Sequence, residues 1–442
     1  MNNGDNLLMY GSLDKENDAP FSIAHLIIIL LFANSLLFSI DSAKTGYNLT
    51  YYHILKLAEI GLAGCLVLFL IVKTGGVIKL LSGLPLWALL YGLTAMVSVC
   101  YSSVGIYTFW KSLELTVAII GISIILALDN PYQIVKKGFY IYTTLLFLLI
   151  LTVWIGAILK PSLAFIKGPG LLPQIQGILP IINPNGLGFI SAITSLIYIH
   201  RFFTSSDKRT LVLFQIVICL TTLIFAQART SLIGLLIGII VLLILNKGFR
   251  SVLVIAFFAI LLILLPEVTK IGENYFLRGQ SRERLSAFSG RIYGWELARN
   301  KIVQSPWVGY GFAAGGRYDV FKDSKYKGTD LHNAFFEVMI STGIIGFIPW
   351  LLCFFGVFVS LILFYLKHRS VLNTKAKQFH ILTIATYFII LTRSLTSSEI
   401  AINGVGFMLL LLLLVYSQSL REDKTKAALG LIPTKKQEGK KS

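Results

Sequence analysis

The residues best suited to chemistry are concentrated between Gly290 and Gly346. Arg, Lys, Trp, Tyr, Gly and one His crowd together in this stretch, whereas long apolar runs make up most of the remaining sequence. The apolar character returns directly after His332 and Asn333. A polar segment held between such runs is where we expect the functional site.

His332 is the candidate proton acceptor. An imidazole has an ordinary pKa of about 6.5, so near neutral pH it can take the proton of a hydroxyl and turn that hydroxyl into a nucleophile. The alternative is a His that caps a helix or hydrogen-bonds a backbone group. The adjacent Asn333 leaves a similar choice open, because it could orient the His or cap the helix that begins there.

Two arginines are the candidate anion ligands. Arg229 lies in a Gln-Ala-Arg-Thr-Ser segment between two apolar runs, and an Arg at the centre of a membrane helix costs roughly 2.5–3.5 kcal/mol. It therefore needs a partner such as a phosphate, unless its side chain reaches the membrane surface. Arg291 lies four residues before Trp295, and the planar guanidinium of either arginine suits phosphate oxygens.

Other side chains could support the site. Arg317 and Arg393 are weaker anion ligands, because an ion pair within the chain, such as that of Arg393 with Glu399, would account for them equally well. Trp295 and Tyr310 could stack on sugar rings, although aromatic side chains more often anchor a protein at the membrane interface. The polar stretch contains no Asp-x-Asp pair that would hold Mg²⁺. We therefore predict a metal-independent site.

The composition is that of a membrane protein. Hydrophobic residues make up 55% and charged residues 14% of the 442-residue chain, whereas a soluble domain carries about 25% charged residues. The net charge of +18 is better explained by basic cytoplasmic loops than by nucleic acid, which we exclude as a partner. The four cysteines form no Cys-x-x-Cys pair or Cys/His cluster, so no zinc or redox site is indicated.

The apolar runs predict an all-α, polytopic integral membrane fold of about twelve transmembrane helices, in a single domain covering residues 1–442. The predicted helices cover residues 22–40, 52–72, 84–100, 106–128, 138–159, 185–200, 210–226, 230–246, 250–266, 333–366, 379–392 and 403–419. The run 333–366 is too long for one straight helix. Gly343, Gly346 and Pro349 predict a kink or a re-entrant piece in its first half.

Basic residues predict the orientation of the helices. With the N-terminus inside, the cytoplasmic segments hold most of the Lys and Arg, which places both chain ends inside. The long loop 267–331 then faces the extracytoplasmic side and is the predicted catalytic loop. The basic tail 420–442 is predicted to be cytoplasmic and to contact anionic membrane lipid. A second outer loop, 160–184, would lie along the membrane surface or cap the site, with a plain connector as the alternative.

Four short motifs follow one another in and around the predicted catalytic loop. They are Arg291 with Trp295, the Ser-Pro-Trp-Val-Gly-Tyr-Gly run at 305–311, His332-Asn333, and Gly-Ile-Ile-Gly at 343–346. Together they resemble the motifs of the O-antigen ligase and O-antigen polymerase superfamily, which are bacterial membrane glycosyltransferases. The resemblance implies that His332 is the catalytic base and that Arg229 and Arg291 contact the diphosphate of a lipid-linked donor.

The resemblance also implies the substrates and the location. The donor would be a glycan linked to undecaprenyl diphosphate, and the acceptor a hydroxyl of another glycan or of lipid A-core. The site would face the periplasm from the bacterial inner membrane, and no cofactor would be needed because the lipid diphosphate supplies the energy. A ligase is favoured over a polymerase with the same chemistry or a protein-glycosylating enzyme. A lipid-linked glycan flippase or transporter is the rival from another class, although no internal repeat is visible.

Overall fold

The computed structural model describes residues 21–36, 51–166, 172–205, 208–247, 272–275, 277, 291–322, 330–422 and 429. Helices dominate this part of the chain. They are α1 (Ile23–Leu36), α2 (Tyr51–Thr74), α3 (Val77–Leu80), α4 (Gly83–Val97), α5 (Gly105–Ser123), α6 (Pro131–Leu159), α7 (Pro161–Ala164), α8 (Pro184–Thr204), α9 (Arg209–Ala226), α10 (Arg229–Lys247), α11 (Arg291–Gln304), α12 (Ala334–His368), α13 (Thr374–Ser394) and α14 (Val405–Ser419).

Within the described residues, eight helices are long and apolar enough to cross a membrane, namely α2, α4, α5, α6, α8, α9, α10 and α12. Two shorter apolar helices are α1 and α14. The prediction of an all-α polytopic membrane protein is therefore confirmed, while the number of twelve helices stays a prediction. The predicted helix 250–266 lies outside the described residues.

Helix α14 lies at the centre of the bundle. Its run from Phe407 to Tyr416 is buried on every side, and the helix packs against α1, α4, α5, α6, α12 and α13. A helix that is apolar all round is stable only when surrounded by other apolar surfaces. Around it, α8 packs on α9, α10 on α13, and α12 on α4.

Helix α12 is broken near its N-terminal end. Gly343 has φ +60° and ψ −164°, which is not helical, so the helix consists of two segments that meet there. A side chain at Gly343 would collide with the backbone of Trp307 and Val308, and glycine alone adopts this conformation at little cost. The predicted kink is confirmed, and it makes room for the 305–311 run.

The second predicted outer loop, 160–184, forms short antiparallel hairpins in its described part. Strand β1 (Phe165–Ile166) pairs with β2 (Gln174–Ile175), and β3 (Gly177–Ile178) pairs with β4 (Ile181–Ile182). The loop contacts the junction between α9 and α10. Gln227 Nε2 donates to the carbonyl of Leu172 at 2.6 Å, and Gln174 Nε2 donates to that of Ala226 at 3.4 Å. The loop therefore covers the junction that ends in Arg229.

Two predicted helix boundaries differ from the structure because these helices extend over charged residues, which lower the local hydropathy. The predicted helix 138–159 begins at Pro131, so Lys136 and Lys137 lie in its first turns. The predicted helix 379–392 extends over Thr374–Ser394, and most of its residues are buried. The chain around these charges is helical because Pro131 at the first position and the Asn373 side chain as N-cap favour helix starts there.

Candidate active site

The 305–311 run is fixed against the break in α12 by backbone hydrogen bonds. Tyr310 and Gly311 donate to the carbonyls of Ile340 and Ser341 at 2.8 and 3.0 Å, and Ile344 donates to that of Pro306 at 2.8 Å. Carbonyls and amides left without helical partners near Gly343 are thus satisfied by the run. This pairing holds the 305–311 run against the first segment of α12, which begins two residues after His332.

His332 occupies a left-handed backbone conformation with φ +54°. Only a few per cent of non-glycine residues do so, and such strain is retained where the surrounding structure enforces it. Trp295 Nε1 donates to the carbonyl of the preceding Leu331 at 2.9 Å, and Leu331 is itself buried. The backbone is therefore held immediately before the candidate base.

Asn333 is the N-cap of α12. Its side-chain oxygen accepts hydrogen bonds from the backbone of Phe335 and Phe336 at 3.0 and 3.1 Å. Its amide nitrogen donates to the carbonyl of Leu395 at 3.1 Å. The capping role left open by the sequence is thus filled by Asn333 rather than by His332, and Asn333 also links α12 to the segment after α13.

Arg229 and Arg393, from two other segments, both lie near enough to Arg291 for their charges to act on it. Arg291 begins α11 and donates from Nη1 to the carbonyl of Thr396 at 3.2 Å. Arg229 begins α10 and donates from Nη2 to the carbonyl of Leu277 at 3.2 Å. Arg393, at the end of α13, is buried and pairs with Glu399 at 3.0 Å. We call Arg229, Arg291 and Arg393 the arginine cluster.

The charges of Arg229 and Arg393 act on Arg291, and the charges of Arg291 and Arg393 act on His332. Burial, together with the positive charges of Arg393 and Arg229, lowers the pKa of Arg291 to about 10. Burial is also the largest cause that lowers the pKa of His332, to about 4, and Arg291 and Arg393 contribute to it. Like charges are held together here against their repulsion, which is the arrangement expected of a site for a polyvalent anion.

Arg317 is engaged within the protein. It lies in a π-helical turn, Gly315–Asp319. Its Nε donates to Asp330 at 2.7 Å, and its Nη1 donates to the hydroxyl of Tyr107 at 3.0 Å. The alternative of an ion pair within the chain thus applies to Arg317, and for Arg393 the pair with Glu399 is present.

The two aromatic candidates make contacts within the protein. Trp295 stacks on Phe336 with 6.0 Å between ring centroids, in addition to its bond to Leu331. The hydroxyl of Tyr310 donates to the carbonyl of Lys301 at 3.0 Å, and the Lys301 ammonium lies 5.5 Å from the Tyr310 ring centre. Both side chains fasten α11 to neighbouring elements, and their stacking on a sugar ring remains a prediction.

Sequence reasoning did not identify the segment 395–404 as part of the site. It is not an α-helix, yet it is largely buried and receives side-chain hydrogen bonds from all around the bundle. Tyr91 donates to Ala401 at 2.5 Å and Trp350 to Ile400 at 3.1 Å. Irregular backbone in a membrane protein must be satisfied by protein groups or line a polar cavity. The run of Thr, Ser and Glu at 396–399 was the available signal.

A cluster of charges inside the predicted helices was also missed. Glu114 is buried, pairs with Lys111 at 2.9 Å and lies 3.7 Å from Lys56. Ionisable residues within apolar helices are rare and costly, so their presence inside two apolar runs was a usable signal. Lys111 lies one helical turn after Tyr107, so the cluster borders the Tyr107–Arg317–Asp330 contacts.

The fold and the site together define a multi-pass membrane protein with a cationic, histidine-containing site. A family model described as O-Antigen ligase matches residues 214–351. This segment carries Arg229, Arg291 and His332, and the match confirms the resemblance to the O-antigen ligase superfamily. No curated protein matches the chain. Arg393 and the segment 395–404 lie outside the matched residues.

Proposed function

We propose that this protein is a metal-independent, inverting glycosyltransferase of the O-antigen ligase type. It moves an oligo- or polysaccharide from undecaprenyl diphosphate to a sugar hydroxyl of lipid A-core. The single observation that carries the proposal is the convergence of the arginine cluster with His332. A diphosphate is the anion that such a cluster suits, and a hydroxyl is the group that a neutral imidazole can deprotonate.

The reaction is a single displacement. An acceptor hydroxyl gives its proton to His332, and its oxygen forms a bond to the anomeric carbon of the donor sugar. The bond from that carbon to the diphosphate oxygen breaks, and the diphosphate leaves with the electron pair. Arg229 and Arg291 stabilise the charge that develops on it. The proton then passes from the imidazolium to the diphosphate or to water.

Positive charge for the leaving group comes from side chains in this proposal. Arg229 and Arg291 of the matched segment, together with Arg393 outside it, supply three guanidinium groups. Arg291 keeps its charge at neutral pH because its pKa remains at about 10. Arginine can neutralise phosphate oxygens without the convergent carboxylates that a divalent cation requires. The proposed site is therefore metal-independent, because guanidinium groups neutralise the leaving diphosphate.

The polymerase alternative has the same chemistry with another acceptor, so the same base and the same arginines would serve it. A flippase is the alternative from another class. Transporters place polar binding residues near the membrane midplane, whereas His332, Arg229, Arg291 and Arg393 all lie at helix ends. This placement favours transfer at a membrane surface.

The glycan pattern of a deletion strain tests the proposed function. We expect full-length polymer to accumulate on the lipid carrier and to be absent from lipid A-core, because a ligase acts after polymerisation. The measurement is electrophoresis of core-linked glycan beside mass analysis of the extracted carrier lipid. Single repeats on the core would instead identify a polymerase, and repeats trapped on the cytoplasmic leaflet would identify a flippase.

Cysteine labelling tests the proposed periplasmic orientation. Val303 on α11 and Val371 after α12 are both exposed and lie at opposite ends of α12. In a background where the exposed Cys65 and Cys100 are replaced by Ser, we expect Val303→Cys to react with an impermeant maleimide in intact spheroplasts. Val371→Cys should react only after permeabilisation. The reverse pattern would place the site on the cytoplasmic side.

A further inference from the structure

A chain of polar contacts leads from helix α5 to the segment that carries His332. The hydroxyl of Tyr107 accepts a hydrogen bond from Arg317 Nη1 at 3.0 Å, and Arg317 Nε donates to Asp330 Oδ1 at 2.7 Å. Asp330 is two residues before His332. Tyr107 also contacts Tyr318 edge to face, with 5.5 Å between ring centroids. This contact fixes the π-helical turn to α5 next to the polar contacts.

Consecutive residues of the His332 segment are held by different parts of the protein. Arg317 holds the side chain of Asp330, Trp295 holds the carbonyl of Leu331, and Asn333 caps α12. His332 stands between these fixed residues in its left-handed conformation. The backbone at His332 is therefore held at Leu331 on one side and at the helix start on the other, and the Asp330 charge acts on its imidazole.

More positive than negative charges act on His332. Arg291 from α11, Arg393 from α13 and Arg317 from the π-helical turn are positive, and Asp330 is the negative group that opposes them. Glu337 lies near Arg317 and Asp330, and Glu399 pairs with Arg393. When His332 accepts a proton, the new imidazolium arises among three guanidinium groups, so a neighbouring carboxylate lowers the energy of that state.

We propose that Asp330 is a positioning residue for His332, and that Arg317 and Tyr107 hold Asp330 in place. The carboxylate stabilises the imidazolium formed during transfer, while the arginine cluster holds the diphosphate. Arg317 therefore serves the base and not the donor. This inference rests on the proposed role of His332 as the base.

The ion pair has the charge state that this role requires. Burial alone would raise the pKa of Asp330, but Arg317 and His332 lower that pKa below its ordinary value. Burial likewise opposes the charge of Arg317, yet Asp330 and Tyr107 raise the pKa of Arg317 well above its ordinary value. At neutral pH the carboxylate is therefore ionised and available to an imidazolium.

A double-mutant cycle tests the inference. We expect Asp330→Asn to lower the single-turnover transfer rate by about 10²-fold or more, with donor affinity changed by less than about threefold because the arginine cluster is intact. In a His332→Ala background, the same substitution should lower the residual rate by less than about threefold, since a positioning residue has nothing left to act on.

Two further variants keep the test decisive if Asp330→Asn fails to fold. Tyr107→Phe removes one hydroxyl from the chain of contacts and should lower the rate by about tenfold in wild type, again with little effect in His332→Ala. Ser103→Ala is the matched control, because Ser103 on the chain just before α5 donates to Asp319 of the same π-helical turn at 2.8 Å. It should leave the rate unchanged.

The outcomes separate this inference from the proposed function. Equal losses from Asp330→Asn, or from Tyr107→Phe, in the wild-type and His332→Ala backgrounds would overturn the inference, because the residues would then act without His332. A near-normal rate in Asp330→Asn would also overturn it. Full turnover in His332→Ala itself would instead remove the base from the proposed function.

Discussion

His332→Ala is expected to lower the single-turnover rate of glycan transfer by about 10²–10⁴-fold, because a hydroxyl that keeps its proton is a poor nucleophile. Binding of the lipid-linked donor should change little, since the arginine cluster is untouched. Both quantities are measured on folded, detergent-purified protein. The structure sharpens the expectation, because the capping of α12 is done by Asn333 and not by His332.

The backbone of His332 calls for a second variant. His332→Asn also lacks a base, and asparagine tolerates the left-handed conformation better than most residues. Its single-turnover transfer rate should fall by the same factor as that of His332→Ala. As a control, His200→Ala removes a buried histidine near the C-terminal end of α8, where its ring contacts Gln378. This variant should keep its transfer rate. Near-normal turnover in both His332 variants would exclude this residue as the base.

The same reaction has a characteristic pH dependence. The pKa of His332 is lowered to about 4 by burial and by the neighbouring arginines, and the base acts in its deprotonated form. The value of kcat/KM for the donor should therefore stay level at neutral pH and fall as the pH drops through about 4. Bound diphosphate neutralises the arginines, so kcat should begin to fall at a higher pH. A fall of kcat/KM centred at pH 6.5 would contradict this electrostatic account.

Most of the helical framework follows from hydropathy. Membrane helices form where apolar runs are long enough, and α2, α4, α5, α8, α9, α10 and α12 lie where such runs predict them. Helix α13 is longer than hydropathy predicts, since Lys375, Lys377 and Arg393 flank an apolar centre of modest length. The end that carries Arg393 is buried by the surrounding protein, whereas Lys375 at the other end is exposed. Hydropathy averaged along one segment does not include such contacts.

Only those features of the site that depend on residues close together in the sequence could be predicted. The length of the apolar run, with Gly343, Gly346 and Pro349 in its first half, predicted a kink or a re-entrant piece, and the structure places the break at Gly343. The six-residue spacing suggested the pair Arg393–Glu399 that the structure contains. The bond from Arg317 to Tyr107 joins residues 210 positions apart. That from Arg291 to Thr396 joins residues 105 positions apart. Such contacts depend on how helices pack, and no spacing within one segment encodes them.

Replacing Arg291 or Arg229 by Lys is expected to lower the transfer rate by about 10²-fold, although the positive charge remains. A guanidinium carries five N–H donors in a planar fork, whereas an ammonium is a compact charge on a flexible chain. Arg291 uses one donor on Thr396 and Arg229 uses one on Leu277, and these bonds orient each fork. Lysine would lose both the orientation and the paired contacts to diphosphate oxygens.

Rates and donor affinities of the two Lys variants are compared with those of Arg299→Lys. Arg299 lies on α11 with Arg291 but is exposed, so its replacement should have no effect. Wild-type enzyme should also keep its rate in excess chelator, because guanidinium groups and not a divalent cation neutralise the leaving diphosphate. If both Lys variants transfer glycan at the wild-type rate, the arginine cluster contributes only general positive charge. If chelator abolishes the wild-type rate, a metal ion shares that work, and the arginines then bind the donor without carrying the charge of the leaving group alone.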